Sequence, residues 1–305
     1  MTLGDAITRY VTFNQSVGMR FQVDAGLLKA FHRHAGEVDL AAISPDVVAA
    51  FLQPRHRVTS TWRMKHRALR RFYQQAIARG LVAGSPVPTV VPRVSETFVP
   101  HIYSDEELRR LLTGIDANQA EIRCTIAAPT FRAFLLLLYG AGLRLGEALA
   151  LRREEVDLRA GMILIRETKF DKSRQLPIGP HLTRVLAEYV DAAPAARDPG
   201  APAFFVNRRG DPIQHRTAWW NFAALRTRVG VSGRLHDLRH TFAVHRLLAW
   251  YREGADVQRL VPHLSTYLGH ARMSSTQRYL TMTPALLEQA SQRFETYARS
   301  EVCHE

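Results

Sequence analysis

Apolar positions recur at intervals of three and four through the first ninety residues, with few signs of strand. That period gathers side chains on one face of a helix. Leu27, Leu28, Phe31 and His32 mark one such stripe, and Val47, Val48, Phe51 and Leu52 a second. The stretch TSTWRMKHRALRRFYQQAIARGL, 59–81, predicts a longer helix. Trp62, Leu69, Phe72, Tyr73 and Ile77 form its apolar stripe, with Arg63, Lys65, His66, Arg67, Arg70 and Arg71 between and beside them. Gly80 suits its C-terminal stop, because glycine readily adopts the left-handed conformation that ends helices.

The pattern then breaks. VAGSPVPTVVPRVSETFVPHI, 82–102, holds four prolines and no helical period. Proline also turns its preceding residue towards extended structure. This predicts a helical domain over 1–90, a linker over 91–102 and a second domain over 103–305. The second domain opens at SDEEL, where Ser104 can cap a helix whose first turn is acidic. FRAFLLLLYGAGL is too apolar for a surface helix and belongs at a centre. GMILIRETKFDKSRQLPIG, 161–179, reads as strand, polar turn and strand, and AFFVNRRGDPI, 203–213, as a short extended pair. HRTAWWNFAALRTRVG returns to helix, and TPALLEQASQRFETYA, 283–298, is an amphipathic tail. The fold class expected is mainly α with a small β-sheet.

Composition narrows the function. Lys and Arg total 41 against 28 acids, a formal net charge of +13, which points to an anionic partner and above all to nucleic acid. Apolar residues make up 46% of the chain, enough for a real core. The two cysteines, Cys124 and Cys303, form no framework and no Cys-x-x-Cys pair, as expected of a cytoplasmic protein. MTLGDAITRYVTFNQ has no basic segment followed by an apolar stretch, so a signal peptide is not expected, and the longest apolar run, Ala133–Ala141, is far short of a membrane span.

The densest chemistry lies in LHDLRHTFA, 235–243. His236 and His240 are four apart and share a helix face, as a zinc pair does. His236 and Arg239 are three apart and also share a face, as two donors to a phosphate do. Elsewhere Arg144 stands where a glycine-containing break becomes a helix, with Glu147 three residues on. The segment 168–174 carries Lys169 and Lys172. YLGHARMSSTQRYLTM, 267–282, holds His270 and Tyr279. The zinc reading has Asp237 where zinc proteases carry glutamate, lacks an obvious third ligand, and leaves Arg144, Lys169 and Tyr279 without a role.

This order of residues resembles the tyrosine recombinases, the phage integrase and Xer/Cre group. Their pattern is Arg in Gly-Leu-Arg-x-x-Glu, a hairpin lysine, His-x-x-Arg, Leu-Gly-His and then Tyr. Arg144 with Glu147, Lys169, His236 with Arg239, His270 and Tyr279 match it in order and spacing over roughly 103–282. The resemblance implies two domains: a helical core-binding domain and an α/β catalytic domain. It implies no cofactor and no metal. Arg144 and Arg239 would clamp a DNA phosphate, since arginine is always charged and forked towards oxygen pairs. His270 would add a donor, and Glu147 would orient Arg144 or a histidine. Tyr279 would attack to give a 3′-phosphotyrosine, with His236 as the helper at its proton and Lys169 as general acid. Lys172 is a rival for that last role. Asp237 is expected on the exposed side of the helix, with His240 capping or ordering a neighbour or touching the site.

The partner implied is double-stranded DNA carrying inverted-repeat core sites, gripped as in a C-shaped clamp. Arg63, Lys65 and Arg67 are candidate contacts, with Arg55, Arg57 and the region 215–228. The family works as a homo-tetramer on DNA, and the tail stripe Leu286, Leu287, Ala290 and Phe294 would dock in a neighbouring protomer or on its own domain. Accessory recombinases, integration, excision, resolution and transposition of a mobile element, and a place at the nucleoid all fall within the expectation. Rival readings are a catalytically silent DNA-binding protein of the same fold, and a type IB topoisomerase or telomere resolvase. Two departures stand out: QRLVPHLSTY is longer than the usual Xer-like connection and contains Pro262, and no arm-binding domain is expected in front of residue 1.

Overall fold

The computed structural model describes residues 1–19, 21–53, 58–92, 99–166, 173–193, 203–281 and 288. The chain divides into two compact units, Met1–Phe98 and Val99–Glu305.

The first unit is helical: α1 (Leu3–Ser16), α2 (Gln22–Ala35), α3 (Pro45–Leu52) and α4 (Ser60–Ala78), with a 3₁₀ turn at Leu40–Ala42. Side-chain oxygens start three of these elements. Thr2 accepts from the Asp5 N–H, Asp39 from Ala41, and Ser44 from Val47 ahead of Pro45. Each satisfies a donor that the first turn would leave orphaned. Leu3, Leu28, Phe31, Val48, Leu69, Phe72 and Tyr73 meet in one core. Two positions of the predicted stripes differ. Ile77 is exposed, and His66 takes an inward place on α4. The His66 ring stacks on Trp62 and hydrogen-bonds the Pro88 carbonyl at 2.7 Å, which satisfies its buried nitrogen. His32 stands at the rim, paired with Glu37. Gly80, at φ +66, follows α4 where the expected stop lies.

The second unit wraps helices around α7 (Ala128–Gly140). Its residues Phe131, Phe134, Leu135, Leu137 and Leu138 are buried, as its uninterrupted apolar run requires. Before it lie α5 (Asp105–Thr113) and α6 (Ile115–Gln119). Ser104 and Glu107 cap α5 reciprocally. After it come α8 (Leu145–Ala150) and an antiparallel sheet in the order β1 (Val156–Asp157), β2 (Met162–Ile165), β3 (Arg174–Pro177). Met162 pairs with Pro177 and Ile165 with Arg174, so the predicted strand pair is present and β1 adds an unpredicted edge. The stretch 203–213 forms a single bridge, Val206 to Pro212. The helices α9 (Pro180–Ala192), α10 (His215–Arg228), α11 (Leu235–Arg252), α12 (Val257–Leu268) and α13 (Ser274–Gln277) follow, then a 3₁₀ turn at Arg278–Thr281. α9 and α11 both pack on α7. A second core joins Phe242, Val244 and Leu247 of α11 to Val257, Val261, Leu264 and Leu268 of α12 and to Tyr279. Pro262 sits inside α12 without ending it. No described helix is long and apolar enough to cross a membrane.

Candidate active site

Two glycine breaks shape the centre of the second unit. Gly142 ends α7 at φ +59, and a Cβ there would lie 2.5 Å from the Phe242 ring. Gly269 ends α12 at φ +67, and a Cβ there would lie 2.7 Å from Arg174 Nη1. Only glycine takes this backbone without strain or collision. The two breaks turn carbonyls inwards, and two arginines read them. Arg239, only 2% exposed, donates from Nη1 to the Gly142 carbonyl (2.6 Å) and from Nη2 to the Leu268 carbonyl (2.7 Å). Arg144, at the start of α8, donates from Nη2 to the Gly269 carbonyl (2.6 Å).

Glu147 ties this frame to the sheet. It accepts from the Arg144 N–H (3.0 Å) and from Arg144 Nη1 (2.6 Å). It also takes both prongs of Arg174, at 3.1 and 2.8 Å, while Arg174 Nε donates to the Tyr267 carbonyl. Burial alone would raise the Glu147 pKa, but these hydrogen bonds and charges hold it below the usual glutamate value. Glu147 is therefore a carboxylate that orients guanidinium groups.

Tyr279, 2% exposed, packs beside this frame. Its hydroxyl lies 2.9 Å from His240 Nδ1. The His270 ring is nearly parallel to the phenol ring at 6.1 Å, and His270 Nδ1 lies 2.7 Å from the hydroxyl of the fully buried Thr276. His236 stands edge-on to His240 at 4.8 Å with its outer face open. Burial lowers the pKa of all three histidines, and the neighbouring cations lower it further. His240 and His270 fall to about 4. Burial likewise brings Arg239 down to about 10, which leaves it charged at neutral pH. The Tyr279 phenol is raised by burial, against the pull of Arg239 and Arg144. The result is a site rich in hydrogen-bond donors, with two fixed positive charges, neutral imidazoles and a protonated phenol. That is a receptor for an oxyanion.

The structure thus brings together Arg144, Glu147, His236, Arg239, His270 and Tyr279. Lys169, Lys172, Arg55, Arg57 and the tail stripe at 286–294 lie outside the described residues. Two expectations change. His240, not His236, meets the Tyr279 hydroxyl. Asp237 is 2% exposed and accepts from the Arg234 N–H, so it starts α11 instead of facing solvent. That position also turns it away from the metal role of a His-x-x-x-His acid. Among the described residues no three His, Cys, Asp or Glu side chains gather as a metal set. Arg174 and Thr276 were not singled out by motif. Their partners lie across the fold or behind the site, and no local pattern announces them.

In the first unit, Arg63, Arg67 and Arg70 are exposed, while Lys65 turns back. Its ammonium donates to the Phe51 carbonyl (2.9 Å) and sits 4.2 Å over the Phe51 ring, so Lys65 is a packing residue.

Residues 103–285 match the phage integrase family. The Sinorhizobium fredii protein y4rE, whose name assigns it provisionally to the integrases/recombinases, is 33% identical over 297 residues and covers 95% of each chain. The tyrosine recombinase XerA of Thermococcus kodakarensis is 32% identical over 209 residues, covering 68% of this chain and 65% of its own. Among solved structures, the Tn1549 transposon integrase in complex with a circular intermediate DNA superposes with a TM-score of 0.73 at 15% identity, covering 97% of this chain and 99% of that one. The fold is shared with that integrase. The chain belongs to the phage integrase family and is a tyrosine-type site-specific DNA recombinase.

Proposed function

We propose that this recombinase cuts and rejoins DNA through a 3′-phosphotyrosine on Tyr279, in the service of a mobile element. The observation that carries this reading is the burial of Tyr279 beside the His270 ring and within the field of Arg239 and Arg144, with its hydroxyl on His240. A phosphodiester repels nucleophiles, and its transition state gathers charge on the non-bridging oxygens. Arg144 and Arg239 supply fixed charge there, and His236 and His270 supply further donors. Attack by Tyr279 forms its oxygen–phosphorus bond and breaks the bond to the 5′-oxygen. The departing oxygen takes a proton from Lys169, the general acid assigned by the family pattern. A 5′-hydroxyl from another strand then reverses the step, so the bond energy is conserved and no nucleotide cofactor is consumed. Family resemblance adds inverted-repeat core sites and a tetramer joined by exchange of the C-terminal segment.

The test is covalent capture. A library of nicked duplexes, randomised around the nick, is incubated with the full chain in the presence of chelator and resolved under denaturing conditions. The expected outcome is an SDS-resistant adduct that disappears in Tyr279→Phe. An adduct that persists in that variant would remove Tyr279 from the mechanism, and one that needs a divalent ion would remove the metal-free scheme.

A further inference from the structure

The attacking phenol must lose a proton, and the family pattern places His236 nearest to that task. The geometry points to a different group: we infer that His240 Nδ1 is the catalytic proton acceptor for Tyr279. This rests on reading Tyr279 as the nucleophile.

Three observations support it. First, the Tyr279 hydroxyl is buried, so water does not take its hydrogen bond, and a buried donor needs a partner. Among the described residues, His240 Nδ1 at 2.9 Å is the acceptor within reach. Second, the neighbouring cations can only donate. The charges of Arg239 and Arg144 act on the phenol, and a guanidinium has no acceptor to offer, so neither can take the phenol proton. Third, His240 is held neutral. His236 and Arg239 face it from α11, His270 from the turn after α12, and Arg278 and Tyr279 from the last 3₁₀ turn. Burial and these neighbours depress its pKa to about 4, leaving one ring nitrogen free of a proton at neutral pH.

A base this weak does not deprotonate a raised phenol at rest, so the nucleophile stays capped without DNA. A docked phosphate changes both sides. Its negative charge offsets Arg239 and so raises the basicity of His240. As the oxygen–phosphorus bond forms, the phenol oxygen loses electron density and its proton passes to Nδ1. In the rejoining step the bond breaks and the proton returns from Nδ1 to the tyrosine oxygen, so His240 ends each cycle as it began.

The first test needs no DNA. Long-range proton–nitrogen NMR spectra of the ¹⁵N-labelled full chain at pH 7 report each imidazole tautomer, with His240 assigned by its loss in His240→Asn. The expected result is a ring protonated on Nε2, whose bare Nδ1 signal moves in Tyr279→Phe. A ring protonated on Nδ1, donating to the phenol, overturns the inference. The second test follows single-turnover adduct formation on the captured duplex. His240→Asn keeps an acceptor oxygen near the Nδ1 position but cannot carry the proton. It should slow adduct formation about 100-fold or more, at unchanged DNA affinity, and a 5′-sulfur leaving group should not restore the rate. A rate equal to the original, or restoration by sulfur, sinks the assignment. His240→Gln repeats the test should the first variant fold poorly. An adduct from Tyr279→Phe would overturn the nucleophile itself, a result separate from the tautomer.

Discussion

Arg174 shows how much of the site rests on a single side chain outside the motifs. Its two prongs grip Glu147, and its Nε holds the Tyr267 carbonyl next to the Gly269 turn. Removing one partner of a buried, hydrogen-bonded ion pair leaves the other charge uncompensated, which costs roughly 3–5 kcal/mol. Arg144 still contacts Glu147, so Arg174→Met should fall at the lower end, about 3 kcal/mol in chemical denaturation. Arg174→Lys keeps the charge and loses the fork, so it should retain much of the stability while slowing adduct formation more than it weakens DNA binding. Equal losses in both variants would show that charge alone matters there.

At the scale of one element, α4 separates packing cations from surface cations. Arg63, Arg67 and Arg70 recur at helical spacing and are exposed, whereas Lys65 is turned onto Phe51. If α4 tracks a DNA backbone, each arginine that neutralises a phosphate releases counterions. Arg67→Ala should then weaken DNA binding across sequences and reduce the magnitude of the salt slope by about 1. Lys65→Ala should lower the melting temperature and leave that slope unchanged. A titration of affinity against salt for both variants decides the matter. The same helix shows what the sequence could and could not disclose. Its ends, its length and most of its apolar face were readable, because periodicity and Gly80 are local signals. His66 in place of Ile77 was not, because a polar ring is admitted to a core only by a distant acceptor, here the Pro88 carbonyl.

For the whole molecule, the clearest consequence is a dependence of stability on acidity. His240 and His270 have folded pKa values near 4, below the ordinary 6.5, and His236 and His245 are shifted the same way. The unfolded chain takes up these protons near 6.5 and the folded chain does not, so protons favour unfolding. Stability should be full above pH 6.5 and decline as the pH falls towards 4. Glu147 adds to the loss only below about 4.5, because its pKa is depressed from that value. Melting temperatures between pH 8 and 4 should show the decline, and His240→Asn should soften it. A flat profile between pH 7 and 5 would contradict the buried, neutral imidazoles. The candidate site residues were readable in order along the chain, and their assembly was not. Arg144 reaches Gly269, Arg239 reaches Gly142, and Arg174 reaches Tyr267, each across a long stretch of sequence. Those anchors are backbone carbonyls, and this has a bearing on descent. Every residue possesses a carbonyl, so replacing a side chain at Leu268 or Tyr267 cannot delete the group that holds an arginine of the candidate site. Lineages can therefore revise the surfaces that choose a DNA sequence while inheriting the same arrangement of charge, provided the two glycine turns persist.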